Sequence, residues 1–248
     1  MMPSFVLFGI TFQSSLFFWG LGIIGCQIYY QVMARRKMNF RQWQALLMGL
    51  IFLIIEIIGA KILYLAENIG QIGPDSFGLS GFSFFGVFMF FPIFVFPVAL
   101  LFRRSYADLM DYGAVGILIE LGFYRIGCMC AGCCHGIEWE YGILAGGVRC
   151  FPVQPIEAGL DFALAAVLIV FGRRLGSGQQ YLWTLTGYGI IRFILEFLRA
   201  RTNIFLCFSV SHLWAFLSIV GGAAVLIWLS VQKKRTAGLQ NQTETDQT

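Results

Sequence analysis

Residues 1–34 contain no charged side chain, and long apolar stretches of similar length recur from there to the last basic cluster. A bilayer core of ~30 Å needs roughly 20 apolar residues per helical span. On that measure the pattern predicts spans at 5–33, 44–66, 82–102, 113–131, 156–171, 181–198 and 210–231. The expected fold is therefore an all-α membrane protein, a polytopic bundle of about seven transmembrane helices. Residues 1–235 form one integral-membrane domain, and the polar stretch 236–248 reads as a disordered cytoplasmic tail. With 58% hydrophobic and only 12% charged residues, the chain is not a soluble globule, a disordered segment or a nucleic-acid-binding domain, despite its net charge of +4. The opening Met1-Met2-Pro3-Ser4 offers no basic segment, so the first span is expected to stay uncleaved.

The basic residues set orientation. Arg35, Arg36, Lys37 and Arg41 follow the first span, and Arg103 and Arg104 follow the third. Arg173 and Arg174 follow the fifth, and Lys233, Lys234 and Arg235 follow the seventh. These eleven of the 17 Lys and Arg residues fall on one side, the cytoplasmic side by the positive-inside rule. The N-terminus is then outside and the C-terminus inside.

Six basic residues escape this rule: Lys61, Arg125, Arg149, Arg192, Arg199 and Arg201, all within spans or toward their outer ends. A charge inside a span costs at least ~2.5–3.5 kcal/mol, so it faces the bundle interior with a partner or a task. Carboxyls in spans are Glu56, Glu120, Glu157, Asp161 and Glu196. Arg192, Glu196 and Arg199 stand at i, i+4 and i+7, on one helical face, and Glu157 and Asp161 also share a face. Glu56 and Lys61, five apart, point in different directions. Such pairs could simply hold the bundle together. The arginines outnumber their nearby carboxylates, however, and surplus guanidinium near the outer leaflet suits a phosphate or carboxylate ligand such as a lipid headgroup.

Five segments, in order, carry a family resemblance. Gly59-Ala60-Lys61-Ile62-Leu63-Tyr64 looks like G-A-R-x-x-Y, and Ser83-Phe84-Phe85-Gly86 looks like S-F-H-G. Arg125-Ile126-Gly127, with Gly132 and Gly136, fits the frame of R-I-G-N-F-x-N-G-E-x-x-G. Pro152-Val153-Gln154, followed by Glu157-Ala158, is similar to P-S/T-Q-L-Y-E-A. The block from Gly187 to Arg199 follows Y-G-x-x-R-F-x-x-E-F-x-R almost throughout. From Gly20 to the seventh span the chain thus resembles the prolipoprotein diacylglyceryl transferases of the bacterial plasma (inner) membrane.

That resemblance implies transfer of a diacylglyceryl group from phosphatidylglycerol, a membrane lipid, to the lipobox cysteine of a prolipoprotein signal peptide. Glycerol phosphate leaves, and no metal or organic cofactor is expected. By position, Arg125 and Arg192 would hold the phosphate and Glu196 would orient an arginine. Gln154 and Glu157 would shape the polar cavity, with Lys61, Arg149 and Arg199 contributing to substrate binding. Gly132 and Gly136 would allow close backbone approach. The sequence departs from the pattern at Phe85 in place of His, Val87 in place of Gly, and Trp19 in place of the Tyr before Gly20. Cys128 replaces the Asn of R-I-G-N and Cys133 the Glu of N-G-E. In these positions the chain resembles a cysteine-rich variant branch.

Cys128, Cys130, Cys133, Cys134 and His135 fall in one eight-residue window, with Cys150 next along and Cys26 and Cys207 apart. Four readings are open: apolar packing, an outer-face disulfide, for instance one involving Cys150, a reactive thiol assisted by His135, and a metal or redox centre. A zinc site would ordinarily show a second paired ligand set, which the spacing lacks. Cys128, Cys133 and His135 accordingly join the candidate catalytic set. The other functions open to the chain are a thiol–disulfide oxidoreductase using Cys130 and Cys133, and a lipid-binding relative of altered specificity. His212 reads as a helix-packing hydrogen bonder. The Phe-rich span at 82–102 reads as packing and lipid-facing surface, kinked at Pro92 and Pro97. Trp183, Trp214 and Trp228 suit interfacial belts.

Overall fold

The computed structural model describes residues 4–7, 10–78, 81–145, 147–200 and 208–245. Among them, seven α-helices carry the fold: α1 (Ser14–Met33), α2 (Gln42–Glu67), α3 (Phe84–Phe102), α4 (Tyr106–Ala131), α5 (Val153–Phe171), α6 (Gln179–Glu196) and α7 (Val210–Thr245). Six of the seven are long and apolar enough to cross a membrane. The exception is α6, whose polar residues, including Gln180, Thr184, Thr186, Arg192 and Glu196, are buried against its neighbours. The protein is thus an all-α, multi-pass membrane protein.

Two short antiparallel hairpins are additions to the helical reading. The sequence pattern carries the first span back to residue 5, whereas β1 (Ser4–Leu7) pairs with β2 (Ile10–Gln13) and α1 starts only at Ser14. Phe, Val, Ile and Thr favour extended backbone there, and the 20 residues of α1 alone meet the membrane's length requirement. The second hairpin, β3 (Glu138–Ala145) with β4 (Val148–Cys150), fills the connection between α4 and α5. At the other end of the chain, α7 continues as helix to Thr245, ten residues into the polar stretch whose composition reads as disordered. Extending an existing helix needs no new nucleus, and Lys, Arg, Ala, Leu and Gln are good helix formers.

The central element is α4. Leu109 to Leu118 are buried without interruption, as expected of a helix enclosed on all sides. It packs against α1, α3, α5 and α6. Asp111 on α4 accepts hydrogen bonds from the backbone N–H groups of Gly178 and Tyr181, both at 2.8 Å, and so caps α6 from outside. Pro92 has no N–H for the carbonyl of Phe88, and the Tyr181 hydroxyl donates to that freed oxygen instead. Between α2 and α3 the glycines of the first two motifs meet: a Cβ on Gly59 would stand 2.8 Å from the Gly86 carbonyl oxygen. Small residues at this crossing let the backbones touch, which is how helices associate where the solvent is itself apolar.

The helices alternate in direction, so the two ends of the bundle have different chemistry. At one end Arg104 lies over the Phe40 ring at 4.8 Å, and Ser177 donates to Asp108 at 2.5 Å, tying together three of the connections that carry the basic clusters. The opposite end holds the C-termini of α4 and α6 and the N-termini of α5 and α7. There Arg125, Arg192 and Arg199 gather.

Candidate active site

The site is built where α4 stops. Gly132 adopts φ +75°, a left-handed conformation natural to glycine, and the Cys133 N–H bonds back to the Cys128 carbonyl at 3.2 Å. The following residues run between two other segments. Gly136 donates to the Phe151 carbonyl at 3.2 Å, Ile137 to that of Leu198 at 2.9 Å, and Ala200 to that of His135 at 3.3 Å. A Cβ on Gly136 would stand 2.5 Å from the Phe151 oxygen and 2.8 Å from that of Leu198, so only glycine fits between the two strands of chain. Pro152 then caps α5, which presents Gln154, Glu157 and Asp161.

Five charged groups from α4, α5, α6 and the segment just after α6 form a continuous chain. Arg125 Nε lies 3.0 Å from Glu157 Oε1, and Arg192 Nη1 lies 3.4 Å from Glu157 Oε2. Arg192 Nη2 reaches Glu196 Oε2 at 2.7 Å, and Arg199 Nη1 lies 3.6 Å from the same oxygen. Ser209 donates to Glu196 Oε1 at 2.9 Å. All five are buried, with Glu157 fully so. Ions this deep are tolerable only because each has an opposite neighbour. Three arginines against two carboxylates leave one surplus positive charge in the chain. Burial, with Arg192 and Arg125 nearby, brings Arg199 down to about 10, so it remains a cation at neutral pH.

Two buried polar groups beside this chain lack full partners among the described residues. Gln154 Nε2 donates to the Cys133 carbonyl at 2.7 Å, while its Oε1 has no donor. Asp161, one turn along α5 from Glu157, is completely buried and neither carboxyl oxygen is hydrogen-bonded.

Next to the ion chain lies a cavity of about 720 Å³, bounded by Trp19, Glu56, Phe82, Phe84, Glu120 and Tyr124 among others. Arg125 lies over the rings of Phe84 and Tyr124, at 5.6 and 5.9 Å, so these two aromatics are the partition between cavity and ion chain. Glu56 and Glu120 line the same cavity, and Trp19 Nε1 donates to Glu120 at 2.5 Å. Sequence reasoning missed this set, because its members come from three helices with no spacing to link them.

Three expected site residues stand elsewhere. Lys61 does not join the arginines: its ammonium donates to the carbonyls of Gly78 at 2.7 Å and Gly81 at 3.3 Å and lies over the rings of Phe82 and Tyr64. Arg149, on β4, donates to the Gly142 carbonyl at 3.4 Å within its own hairpin. The His135 ring turns to the Gly136 carbonyl, with Nδ1 at 3.1 Å. A neutral ring donating there keeps Nε2 as the open acceptor. His212 packs among Phe193, Phe197 and Phe208 and accepts from the Ser209 N–H at 3.1 Å, a local packing role. Arg201 and Cys207 lie outside the described residues.

The sulfurs group differently from their spacing. The six described cysteines are all free thiols, Cys150 included. The three that converge are Cys128, Cys133 and Cys134, not the C-x-x-C pair of Cys130 and Cys133. Hydrogen bonds from the Cys128 and Cys133 thiols, followed by the charges of Arg199 and Arg125, pull the Cys134 thiol well below the usual range.

A family model described as prolipoprotein diacylglyceryl transferase matches residues 6–228. The chain belongs to that family. The match takes in every element that builds the ion chain. Among curated relatives, phosphatidylglycerol–prolipoprotein diacylglyceryl transferase 2 of Clostridium perfringens is 28% identical over 209 residues, covering 78% of this chain and 81% of its own. The phosphatidylglycerol–prolipoprotein diacylglyceryl transferase of Clostridium tetani is 25% identical over 233 residues, covering 88% and 93%. Family membership gives no support to the oxidoreductase reading, and neither does the grouping of the thiols.

Proposed function

We propose that this protein transfers the diacylglyceryl group of phosphatidylglycerol to the cysteine thiol of a prolipoprotein signal peptide, in a bacterial plasma membrane. The observation that carries this reading is the buried chain Arg125–Glu157–Arg192–Glu196–Arg199 beside a lipid-sized cavity. By the positive-inside rule the basic connections face the cytoplasm, which turns the ion chain toward the outer leaflet.

The reaction exchanges one bond for another. The thiol loses its proton, the sulfur attacks the glyceryl methylene, and an S–C bond forms as the C–O bond to phosphate breaks. The electron pair leaves with glycerol phosphate. Charge therefore grows on phosphate oxygens, and fixed guanidinium groups away from bulk water stabilise it more in the transition state than in the bound lipid. Arg125 and Arg192 would serve that role, with Glu157 and Glu196 fixing their planes and Arg199 adding positive field. The open Oε1 of Gln154 suits a headgroup hydroxyl. The cavity, largely apolar apart from Glu56 and Glu120, suits acyl chains, with Phe84 and Tyr124 separating them from the phosphate.

Complementation tests the reading without assuming which group takes the thiol proton. In a bacterium depleted of its own transferase, this chain should restore growth and diacylglyceryl-modified lipoproteins, and the Arg192→Ala variant should not. Failure of the unaltered, membrane-inserted chain to restore modification would overturn the proposal.

A further inference from the structure

The three converging thiols have no task in the mechanism above. Cys128 is buried in the last turn of α4, three residues on from Arg125, while Cys133 and Cys134 are exposed in the loop that follows. Their sulfurs all lie within 4.8 Å of one another. This convergence is enforced by the backbone. Gly132 reverses the chain, the Gln154 side chain holds the Cys133 carbonyl at 2.7 Å, and Cys134 takes φ +58°. A residue with a side chain adopts that conformation only where its surroundings hold it. Hydrogen bonds among thiols are too weak to account for such an arrangement.

We propose that Cys128, Cys133 and Cys134 form a three-thiolate site for a thiophilic d10 cation of the zinc type, its fourth position open to the substrate thiol. Zinc stands about 2.3 Å from each thiolate, so ligands at tetrahedral angles lie about 3.8 Å apart, and a closure of about 1 Å at the widest pair completes the set. Side-chain rotation of the two exposed cysteines covers that distance. Three thiolates and a divalent cation carry one net negative charge. Cys128 lies in the last turn of α4, three residues on from Arg125, so this charge stands beside the surplus positive charge of the ion chain. Three protein ligands with one open position are also the arrangement of a catalytic rather than a structural zinc.

The open position deepens the transferase reading and rests on it. A thiol that binds the cation gives up its proton to water, since a coordinating thiol is deprotonated outright. The held thiolate then forms the S–C bond as the C–O bond breaks, and the electron pair departs on phosphate toward the arginines. No atom changes oxidation state through the cation, which suits a d10 ion.

The full chain, purified in detergent under reducing conditions and stripped of metal, is titrated with Co²⁺. The expected result is one Co²⁺ per chain with a thiolate-to-cobalt charge-transfer band that Zn²⁺ displaces. Cys128→Ser or Cys134→Ser should weaken binding by more than about 100-fold, beyond the effect of losing an outer-shell partner. Cys133→Ser serves where the buried Cys128 variant fails to fold, and Cys130→Ser should leave the affinity unchanged. A lipobox peptide should shift the band, and its serine counterpart should not. Absence of binding, affinity insensitive to these serines, a Cys128 disulfide formed in place of metal uptake, or no shift with the cysteine peptide would each overturn the site as described. Undiminished transfer by the stripped protein would remove the cation's role and leave the transferase reading intact. A peptide-shifted cobalt site in a protein that transfers nothing would sink the transferase reading and keep the site.

Discussion

Arg192 and Glu196 stand one turn apart on α6, with Nη2 at 2.7 Å from Oε2, and the pair is sealed from solvent. The second amino group of Arg192 faces Glu157 on α5 at 3.4 Å. The guanidinium is thus fixed in plane and direction by two helices. A cation held this way reorganises little when charge develops beside it.

Substituting this arginine should affect rate more than lipid capture. Arg192→Ala is expected to lower kcat for diacylglyceryl transfer by about 10²–10³, the usual scale for removing a donor to developing negative charge. Arg192→Lys keeps the charge but not the planar fork, and should recover only part of the loss. Steady-state kinetics in phosphatidylglycerol vesicles separate kcat from KM.

Glu157 bridges two arginines, so its loss leaves both without their α5 partner. Glu157→Ala should destabilise the protein by about 3–5 kcal/mol, read as a lowered midpoint of unfolding in detergent. Glu157→Gln, which keeps the shape and a carbonyl acceptor, should cost less.

Tyr181 and Pro92 make a coupled pair through the Phe88 carbonyl. Tyr181→Phe should cost about 1 kcal/mol, the scale of one interhelical hydrogen bond. In a Pro92→Ala background, where the backbone regains its own donor, the same substitution should cost markedly less. A double-mutant cycle on unfolding midpoints measures the difference.

Gly136 has no room for a side chain between Phe151 and Leu198. Gly136→Ala should destabilise by about 1–3 kcal/mol through forced backbone movement. It should also lower transfer, because the same loop carries the thiols and meets Arg199. Unchanged stability and activity together would contradict the packing described.

Part of the ion chain was legible in sequence because Arg192 and Glu196 lie one turn apart on α6, a relation that spacing expresses directly. The expected third member of that helical face is not on the helix: α6 ends at Glu196, and Arg199 reaches Glu196 from the segment that follows, which bridges to Gly136. The pairing of Arg125 and Arg192 with Glu157 crosses between helices, and spacing within a span says nothing about which helix lies opposite. The same limit hid Trp19, Glu56 and Glu120. Lys61 sits in a family motif yet turns to backbone carbonyls, since its side chain meets the loop before α3 and not α5 or α6. The cysteine window was visible, but its grouping depended on left-handed turns at Gly132 and Cys134 that bring Cys128 to the later pair. The hairpins at both β1–β2 and β3–β4 lie in stretches too short or too mixed for a helical period to reveal. The low hydropathy of α6 reflects a polar face turned inward, with Gln180, Thr184, Thr186, Arg192 and Glu196 buried.

The central claim is that these arginines act on the phosphate of phosphatidylglycerol while a cysteine accepts the glyceryl carbon. Its most direct test supplies the purified protein with phosphatidylglycerol labelled in the headgroup glycerol, together with a lipobox peptide. Labelled glycerol phosphate should be released in step with thioether formation on the peptide, both falling together in Arg125→Ala and Arg192→Ala. Thioether formation at the unaltered rate in both variants, or release of label without any thioether, would contradict it.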